Sequence, residues 1–118
     1  MIFVRGDVGA ALLLALTGCA SASSRGVLTI DEVTGGSTRN EEFYALAHAS
    51  RFILPGAGRI ASSTGSDGIE TVAFRNPDAT VTLIVCNSAG VARRISVRMS
   101  SQRFSANAPS GSVATLSW

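Results

Sequence analysis

The chain of 118 residues contains no lysine, one histidine, one tryptophan and two cysteines. Its ten basic residues are all arginines, and they are scattered rather than clustered, so a basic surface for nucleic acid has little support. One histidine and two cysteines supply too few ligands for a structural zinc site. The sequence therefore predicts no nucleic-acid partner, no metal site and no cofactor. A chain of this length fits one small domain with a modest core.

The two cysteines stand in different contexts. Cys86 ends the apolar run 81–86, where a cysteine behaves as a small buried hydrophobic residue. Cys19 follows an apolar segment near the start of the chain and has a candidate role of its own. These contexts predict that the two cysteines do not pair with each other.

Residues 1–24 have the pattern of a bacterial lipoprotein signal peptide and tether. Arg5 lies in a short basic region, and the apolar stretch 8–16 is too short to cross a bilayer. Residues 16–19 read Leu-Thr-Gly-Cys and match a lipobox, in which the Cys19 thiol receives the lipid, and residues 20–24 would be a flexible tether. This interpretation predicts a mature protein that is extracytoplasmic, either anchored to a membrane through Cys19 or secreted. The alternative is that Met1 is a misread start, or that the chain is the remnant of a longer gene.

Residues 40–57 predict one amphipathic helix. Thr38 or Asn40 can cap its start, and the carboxylates of Glu41 and Glu42 lie in its first turn, where they complement the helix dipole. Pro55 prevents continuation of the helix. The apolar positions follow three- and four-residue spacing and form one stripe. Its members are Phe43, Leu46, Ala47 and Ile53, and Tyr44 and Phe52 widen it.

After Gly56 the hydrophobic pattern changes to period two, which is typical of β-strands. Short alternating runs are separated by turns rich in Gly, Pro and Asn, at a spacing of about ten residues. In the clearest run, Ile95, Val97 and Met99 share one face. These features predict a mainly-β protein, an antiparallel β-sandwich with one N-terminal amphipathic helix. The predicted strands are 25–30, 59–63, 69–75, 80–87, 93–99, 102–106 and 113–118.

The helical run 40–57 also resembles a segment of a known family. It reads Asn-Glu-Glu-Phe-Tyr-Ala-Leu-Ala-His-Ala-Ser-Arg-Phe-Ile-Leu-Pro-Gly-Ala and is similar to "Asn-x-Glu-Tyr-Tyr-Ala-Leu-Gly-His-x-Ser-Lys-Phe-Ile-x-Pro-Gly-Ala", near the end of glycoside hydrolase family 30. That family includes the glucosylceramidases and related β-glycosidases. Further similar stretches follow in order: Arg-Gly-Val-Leu-Thr-Ile-Asp at 25–31, Arg-Ile-Ala-Ser at 59–62, Val-Ala-Phe-Arg-Asn-Pro-Asp at 72–78, Leu-Ile-Val-Cys-Asn at 83–87, and the Pro-to-Trp tail at 109–118.

The resemblance implies a division of the chain. Residues 25–57, a strand plus a helix, resemble the end of the family's catalytic barrel, and residues 58–118 resemble its β-sandwich domain. In the family a (β/α)₈ barrel carries the chemistry and the sandwich packs beside it. The family's sandwich also takes strands from the start of the full-length chain, so one sheet of this chain is expected to have an unpaired edge.

The resemblance assigns no catalytic residue to this chain. Retaining glycosidases need two carboxyl groups about 5–5.5 Å apart, one as acid/base and one as nucleophile. In the family these two glutamates lie upstream of the part that is similar, and no position here matches either motif. The predicted catalytic, cofactor-binding and metal-binding sets are therefore empty, and Cys19, as the lipidation site, is the one candidate site residue.

Other side chains have competing interpretations. Glu41 and Glu42 point about 100° apart on a helix, so they cannot flank one glycosidic bond. His48 is expected to pack or to lie at the surface rather than act as a general base. Three aromatic side chains could stack on sugar rings, although buried packing is expected for each; they are Tyr44, Phe74 and Trp118.

Two functions follow from these observations. The first is a non-catalytic accessory β-sandwich region, whose parent activity is retaining β-glycoside or glucosylceramide hydrolysis and whose partner is a glycosidase barrel. The second is a lipid-anchored extracytoplasmic carbohydrate-binding module. The chain alone is expected to have no catalytic activity.

Overall fold

A computed structural model of the chain describes residues 2–5, 26–63 and 67–118, with residues 2–5 given as backbone only. The proposed signal peptide and tether, including Cys19, therefore lie almost wholly outside the described residues. The described residues form nine strands and one helix. The strands are β1 (Ile2–Arg5), β2 (Leu28–Ile30), β3 (Ser37–Arg39), β4 (Gly58–Ser62), β5 (Ile69–Arg75), β6 (Val81–Asn87), β7 (Arg93–Met99), β8 (Gln102–Ala108) and β9 (Ser112–Ser117), and the helix is α1 (Glu41–Phe52).

Seven strands form one hydrogen-bonded sheet in the order β8-β7-β1-β4-β5-β6-β9. All neighbouring strands are antiparallel except β1 and β7, which are parallel. Buried side chains from both halves of this sheet meet in one core, so the sheet folds over on itself as two packed layers. The mainly-β antiparallel sandwich with one helix is confirmed. The core members are Ile60, Ile69, Ala73, Val81, Leu83, Val85, Ile95, Val97 and Ala108.

Strand β6 is buried along its whole length. Its odd-numbered residues face the core between the two layers, and Ile84 on the opposite face joins Val72 and Phe74 in a second cluster. Ala49 and Ile53 at the end of α1 pack against that cluster. Because side chains alternate between the two faces of a strand, β6 is covered by the facing strands on one side and by α1 on the other.

Several sequence predictions need correction in this part of the fold. Cys86 is buried as expected, but it takes part in a disulfide, so the prediction that it stays unbonded is wrong. Asn40 stands at the N-cap position, yet its side chain makes no capping hydrogen bond. It binds the Gly26 carbonyl (2.6 Å) and the Thr29 hydroxyl (2.9 Å) instead. Residues 31–38 are not all turn, because β3 pairs with β2 as a short hairpin.

Strand β1 lies between β4 and β7, and the edge strands of the seven-stranded sheet are β8 and β9. Val4 and Arg5 pair with Ser62 and Ala61 of β4, and residues 2–3 pair with Val97 and Arg98 of β7. The sequence pattern did not predict a strand here, since residues 2–5 were assigned to the start of a signal peptide. The prediction of a signal peptide at 1–24 stays a prediction. Within the described part of the chain, no helix is long and apolar enough to cross a bilayer.

Candidate functional site: the hairpin–helix face

The hairpin of β2 and β3 lies against the N-terminal half of α1. Asn40 accounts for part of this junction, because its backbone N–H donates to the Val27 carbonyl (3.1 Å) and its side-chain N–H₂ donates to the Gly26 carbonyl and the Thr29 hydroxyl, so that all three bonds go to β2 and the residues just before it. The Arg39 guanidinium lies over the Phe43 ring, 5.0 Å from its centroid, a favourable cation–π arrangement. Hairpin and helix therefore form one continuous surface.

The turn of the hairpin is held by a carboxylate. Asp31 accepts hydrogen bonds from the backbone N–H groups of Val33 (2.9 Å) and Thr34 (3.1 Å). These bonds, the one from Thr34 first, hold the pKa of Asp31 below its ordinary value. Residues 26–39 are exposed throughout, so this local bonding, rather than burial in a core, defines the hairpin.

Large apolar side chains are exposed across this surface, which we call the hairpin–helix face. Ile30 in β2 is 68% exposed, and Tyr44 and Leu46 in α1 are 57% and 51% exposed. Tyr44 and Leu46 are two residues apart on α1 and therefore point to different sides of the helix, so the exposed apolar side chains form more than one patch, and large exposed apolar patches mark interaction sites. Of the predicted helical stripe, Ile53 packs against the sheet together with the neighbouring Ala49, while Leu46 faces outward. The face comprises Val27, Leu28, Ile30, Val33, Tyr44 and Leu46.

The opposite end of α1 is fixed to the sheet by Asn76, which is 5% exposed. Its side-chain N–H₂ donates to the carbonyl oxygen of Phe52 (3.0 Å), and its side-chain oxygen accepts from the backbone N–H of Leu54 (3.0 Å). The Thr82 hydroxyl donates a second bond to the Phe52 carbonyl (3.0 Å). Carbonyls in the last turn of a helix lack partners within the helix, so these side chains satisfy them and fix the position of α1.

A second buried asparagine closes the other end of β6. Asn87 is fully buried and donates to the carbonyls of Val91 (3.0 Å), Ala108 (2.9 Å) and Pro109 (2.9 Å). Its side-chain oxygen accepts from the backbone N–H of Ala89 (3.0 Å). Asn87 thereby joins the turn after β6 to the segment between β8 and β9. Sequence reasoning treated Asn76 as a turn residue and gave Asn87 no role, and the signal that could have found them was their position at the two ends of the apolar run.

The other candidate side chains of the sequence analysis have the following positions in the structure. His48 is half-buried, and its Nδ1 lies 2.8 Å from the Thr115 hydroxyl of β9, which fits the expected packing role. Phe74 is buried as expected, whereas the expectation of burial for Tyr44 is wrong. Trp118 is half-buried, with its ring edge-to-face on Phe104 at a centroid distance of 4.8 Å. Glu42 is half-buried in the first turn of α1, the side chain of Glu41 is not described, and Cys19 lies outside the described residues.

The described residues form no group of three or more His, Cys, Asp or Glu side chains that could hold a metal ion. What they offer instead is a rigidly attached helix and hairpin that present an apolar surface. This arrangement is suited to binding another protein surface.

Comparison with known proteins agrees with this geometry. A family model described as the glycosyl hydrolase family 30 beta sandwich domain matches residues 56–116, which begins just after α1 and includes β4 to β9. The match therefore covers the sandwich and leaves the hairpin–helix face outside it.

Relatives extend the similarity to the helix. An endo-1,6-beta-D-glucanase of Aspergillus fumigatus is 40% identical over 108 residues, covering 86% of this chain and 21% of the relative. Among solved structures, SrfJ from Salmonella typhimurium has a TM-score of 0.73 at 29% identity, and the endo-beta1,6-glucanase BT3312 has 0.69 at 32% identity. The alignments cover 80% and 79% of this chain and 21% of each of those chains. The chain thus spans about a fifth of the length of the relatives it matches.

Proposed function

Because the chain belongs to glycosyl hydrolase family 30 through its β-sandwich domain, we propose that it is the accessory sandwich region of a β-glycosidase and is non-catalytic alone. In this proposal the hairpin–helix face docks on a (β/α)₈ barrel, and the sandwich covers and holds one side of that barrel. The observation that carries the proposal is the exposed apolar face next to a domain that family 30 enzymes pack against their barrels.

The physical case for docking rests on the composition of the face and on its attachment. Fully burying an exposed Leu or Ile side chain stabilises an interface by about 1.5–3 kcal/mol, and the face carries Leu28, Ile30 and Leu46. The Asn76 bonds to the end of α1 fix the helix against the sheet before any partner arrives. Little conformational entropy would then be lost on binding, which favours a stable interface.

We further propose β-1,6-glucan as the first substrate to test for the parent enzyme. The Aspergillus relative and BT3312 both carry endo-β-1,6-glucanase names, whereas glucosylceramide hydrolysis is supported only by the wider family. Either reaction, in a retaining mechanism, needs two carboxyl groups about 5–5.5 Å apart on either side of the scissile bond. In this proposal the barrel supplies both groups and this chain supplies neither.

The first experiment assays the purified chain on β-1,6-glucan and on an aryl β-glucoside. We expect no release of reducing sugar or aryl alcohol above a heat-denatured control. Turnover that persists through repeated purification would contradict the non-catalytic role. The genomic DNA upstream of Met1 gives an independent check, because a reading frame encoding barrel strands with two glutamates would identify the parent enzyme.

The second experiment tests docking by grafting. Residues 26–118 replace the matching region of the Aspergillus enzyme, and the chimera is assayed on β-1,6-glucan. We expect the chimera to be active and the substitution Leu46→Asp to lower its soluble yield and activity at least about tenfold. Val91→Asp is the matched control, since Val91 is 56% exposed and lies in the turn between β6 and β7. Equal losses from Leu46→Asp and Val91→Asp would rule out a specific role of the face.

Membrane anchoring through Cys19 is a second proposal, and its support is the Leu-Thr-Gly-Cys sequence at 16–19. In the bacterial host, metabolic labelling with palmitate should mark the chain, and Cys19→Ser should abolish the label and release the protein from the membrane fraction. A mutant that keeps the label would dismiss lipidation at Cys19. The same anchor would place the sandwich outside the cytoplasm.

The bonding state of Cys86 provides a second readout for the lipidation test. Cys86 takes part in a disulfide, and Cys19 is the one other cysteine of the chain. A thioether at Cys19 would consume the thiol that an intramolecular disulfide needs, so lipidation and such a bond exclude each other. After denaturation, which exposes the buried Cys86, palmitate-labelled chain is therefore expected to react with iodoacetamide at Cys86 without prior reduction, whereas unlabelled chain is expected to need a reductant.

A further inference from the structure

A cavity of about 380 Å³ lies at one end of the sandwich, away from the residues used by the proposed docking. Three parts of the chain surround it: the turn 76–80 between β5 and β6, the turn 100–101 between β7 and β8, and the end of β9. This volume is at the small end of the usual range for ligand sites, roughly 300–1,000 Å³. The lining consists of Arg75, Ala79, Val81, Met99, Ser100, Ser101, Gln102 and Trp118.

The apolar part of the cavity is rigid. Val81 is buried, and its backbone exchanges two hydrogen bonds with Trp118, at 2.8 and 3.1 Å. The Trp118 ring also packs edge-to-face on Phe104. An indole held in this way presents a preformed apolar surface, and only part of it is covered because Trp118 is half-buried.

The polar part of the lining consists of exposed side chains. Arg75 offers several N–H donors, Gln102 offers both donors and an acceptor, and the hydroxyls of Ser100 and Ser101 do the same. Arg75 is the only charged side chain among the residues that line the cavity. Side chains that donate and accept hydrogen bonds beside an aromatic surface suit a neutral ligand that carries hydroxyl groups on a ring with an apolar face.

The backbone on both sides of the cavity is unusual. Ala79 and Ser100 have φ angles of +68° and +52°, in the left-handed region that non-glycine residues adopt at a cost of about 1–2 kcal/mol. Among the described residues only Asp67 shares this property outside glycine. Two of the three strained positions thus line the same cavity, and strained residues cluster at binding sites more often than elsewhere.

We propose that this cavity binds the terminal pyranose of a β-linked glucan, with Trp118 stacking on the sugar ring and with Arg75 and Gln102 binding its hydroxyls. The binding energy comes from one aromatic contact and a few hydrogen bonds, so the affinity is on the order of millimolar. The choice of a β-linked glucan rests on the substrate proposed above for the parent enzyme, whereas the cavity shares no residue with the hairpin–helix face, so binding here does not depend on barrel docking. Failure of one proposal therefore leaves the other standing.

Trp118 is the single tryptophan of the chain, so the protein's tryptophan fluorescence reports binding at this site. The purified chain is titrated with gentiotriose, a β-1,6-linked glucose trimer, while the fluorescence of Trp118 is recorded. We expect a saturable change in emission with a midpoint in the millimolar range. Arg75→Ala and Gln102→Ala should each raise that midpoint about tenfold, which is the loss of one hydrogen bond to a charged or amide group.

Two controls make the result decisive. Arg103→Ala removes the same charge from an exposed position of β8 outside the lining, and it should leave the midpoint unchanged. Sodium acetate at matched concentration should give no saturable change. No change in emission with the trimer, equal effects of Arg75→Ala and Arg103→Ala, or an equal response to acetate would each overturn the proposal. Circular dichroism of each variant verifies that it is folded.

Discussion

At the scale of single residues, the asparagines at the two ends of β6 connect the sandwich to its surroundings. Asn76 satisfies backbone groups at the end of α1, and Asn87 satisfies the carbonyls of Val91, in the turn after β6, and of Ala108 and Pro109, at the end of β8. A buried polar group stabilises a fold only when its hydrogen bonds are made, and removal of one partner leaves the others unsatisfied. Both asparagines meet this condition with several bonds each. Their loss should therefore cost far more than loss of a surface amide.

Asn76→Ala tests this argument. The substitution leaves the Leu54 N–H without its partner and removes one of two bonds to the Phe52 carbonyl, so we expect a loss of about 2–3 kcal/mol in the free energy of unfolding. Urea denaturation followed by circular dichroism measures it. Asn107→Ala, at an exposed position of β8, is the control and should stay within about 0.5 kcal/mol of the wild type. Similar losses for the two variants would show that Asn76 is not a junction residue.

Ala79→Gly should raise the free energy of unfolding, in contrast to Asn76→Ala. Ala79 has a φ of +68°, and glycine adopts this conformation without the clash that a Cβ atom makes. We expect a gain of about 1 kcal/mol, seen as a higher midpoint of thermal unfolding. The same substitution at Ala45, within the helix α1, should instead cost about 0.5–1 kcal/mol. A destabilised Ala79→Gly variant would mean that the turn is not strained.

Asp78 gives the fold a measurable dependence on pH. Its carboxylate accepts bonds from the hydroxyl (2.6 Å) and the backbone N–H (3.0 Å) of Thr80, which hold the pKa of Asp78 below its ordinary value of 3.8. A lowered folded-state pKa means that the contribution is present above the unfolded pKa and is lost as the pH falls through the folded one. Asp78→Asn should lower the unfolding temperature at pH 7 and flatten its decline between about pH 4 and 2. Parallel curves for the variant and the wild type, each recorded from pH 2 to 7, would contradict this assignment.

At the scale of elements, regular alternation was the reliable signal. Strands β5 and β7 were predicted with the residue bounds that the structure shows, because each alternates over seven residues and ends at a turn. The burial of Ile95 and Val97 was predicted for the same reason. Strand β1 could not be predicted, since four residues with one arginine before an apolar stretch look like the start of a signal peptide.

The candidate site was predicted less well than the strands. The spacing of apolar residues in α1 is compatible with burial of either side of the helix, and only tertiary contacts decide that Leu46 faces outward while Ala49 faces the sheet. The roles of Asn76 and Asn87 depend on partners 21 or more residues away for several of their bonds. Such distant pairings leave no local pattern in a single sequence.

Deletion of residues 2–5 tests the contribution of β1. Its backbone pairs with β4 on one side and β7 on the other, so deletion exposes the hydrogen-bonding groups of two strands that are otherwise adjacent to it. We expect a loss of about 2–6 kcal/mol, from roughly four hydrogen bonds of about 0.5–1.5 kcal/mol each, together with faster aggregation from the open edges. Urea denaturation and light scattering measure the two effects.

A chain with four extra residues before Met1 is the control for that deletion, because it retains β1 and should match the wild type. Unchanged stability after the deletion would show that β1 contributes nothing to the sheet. A chain processed at Cys19 would also lack β1, so it should reproduce the behaviour of the deletion. The stability and aggregation of the sandwich without β1 therefore show, in the absence of lipid, how a chain processed at Cys19 should behave.

At the scale of the whole molecule, the chain has a well-packed sandwich and an unevenly covered exterior. Core side chains between the two layers are almost completely buried, while the hairpin of β2 and β3 is exposed over its whole length. Stability and interaction are therefore located in different parts of the chain. Substitutions on the hairpin–helix face should change association and leave the folding of the sandwich intact.

Self-association of the isolated chain follows from this separation. The face leaves Ile30 68% exposed and Leu46 and Tyr44 more than half exposed, and two such faces can bury each other when no barrel is present. We expect sedimentation velocity to show a concentration-dependent shift towards dimer or larger species, and Ile30→Glu should restore a monomer because it places a charge in the contact. Val91→Glu introduces the same charge at a comparably exposed apolar position in the turn after β6 and should leave association unchanged. If both variants reduce association equally, net charge rather than the face controls it, and if the wild type is monomeric at all concentrations, the exposed side chains do not form a binding surface.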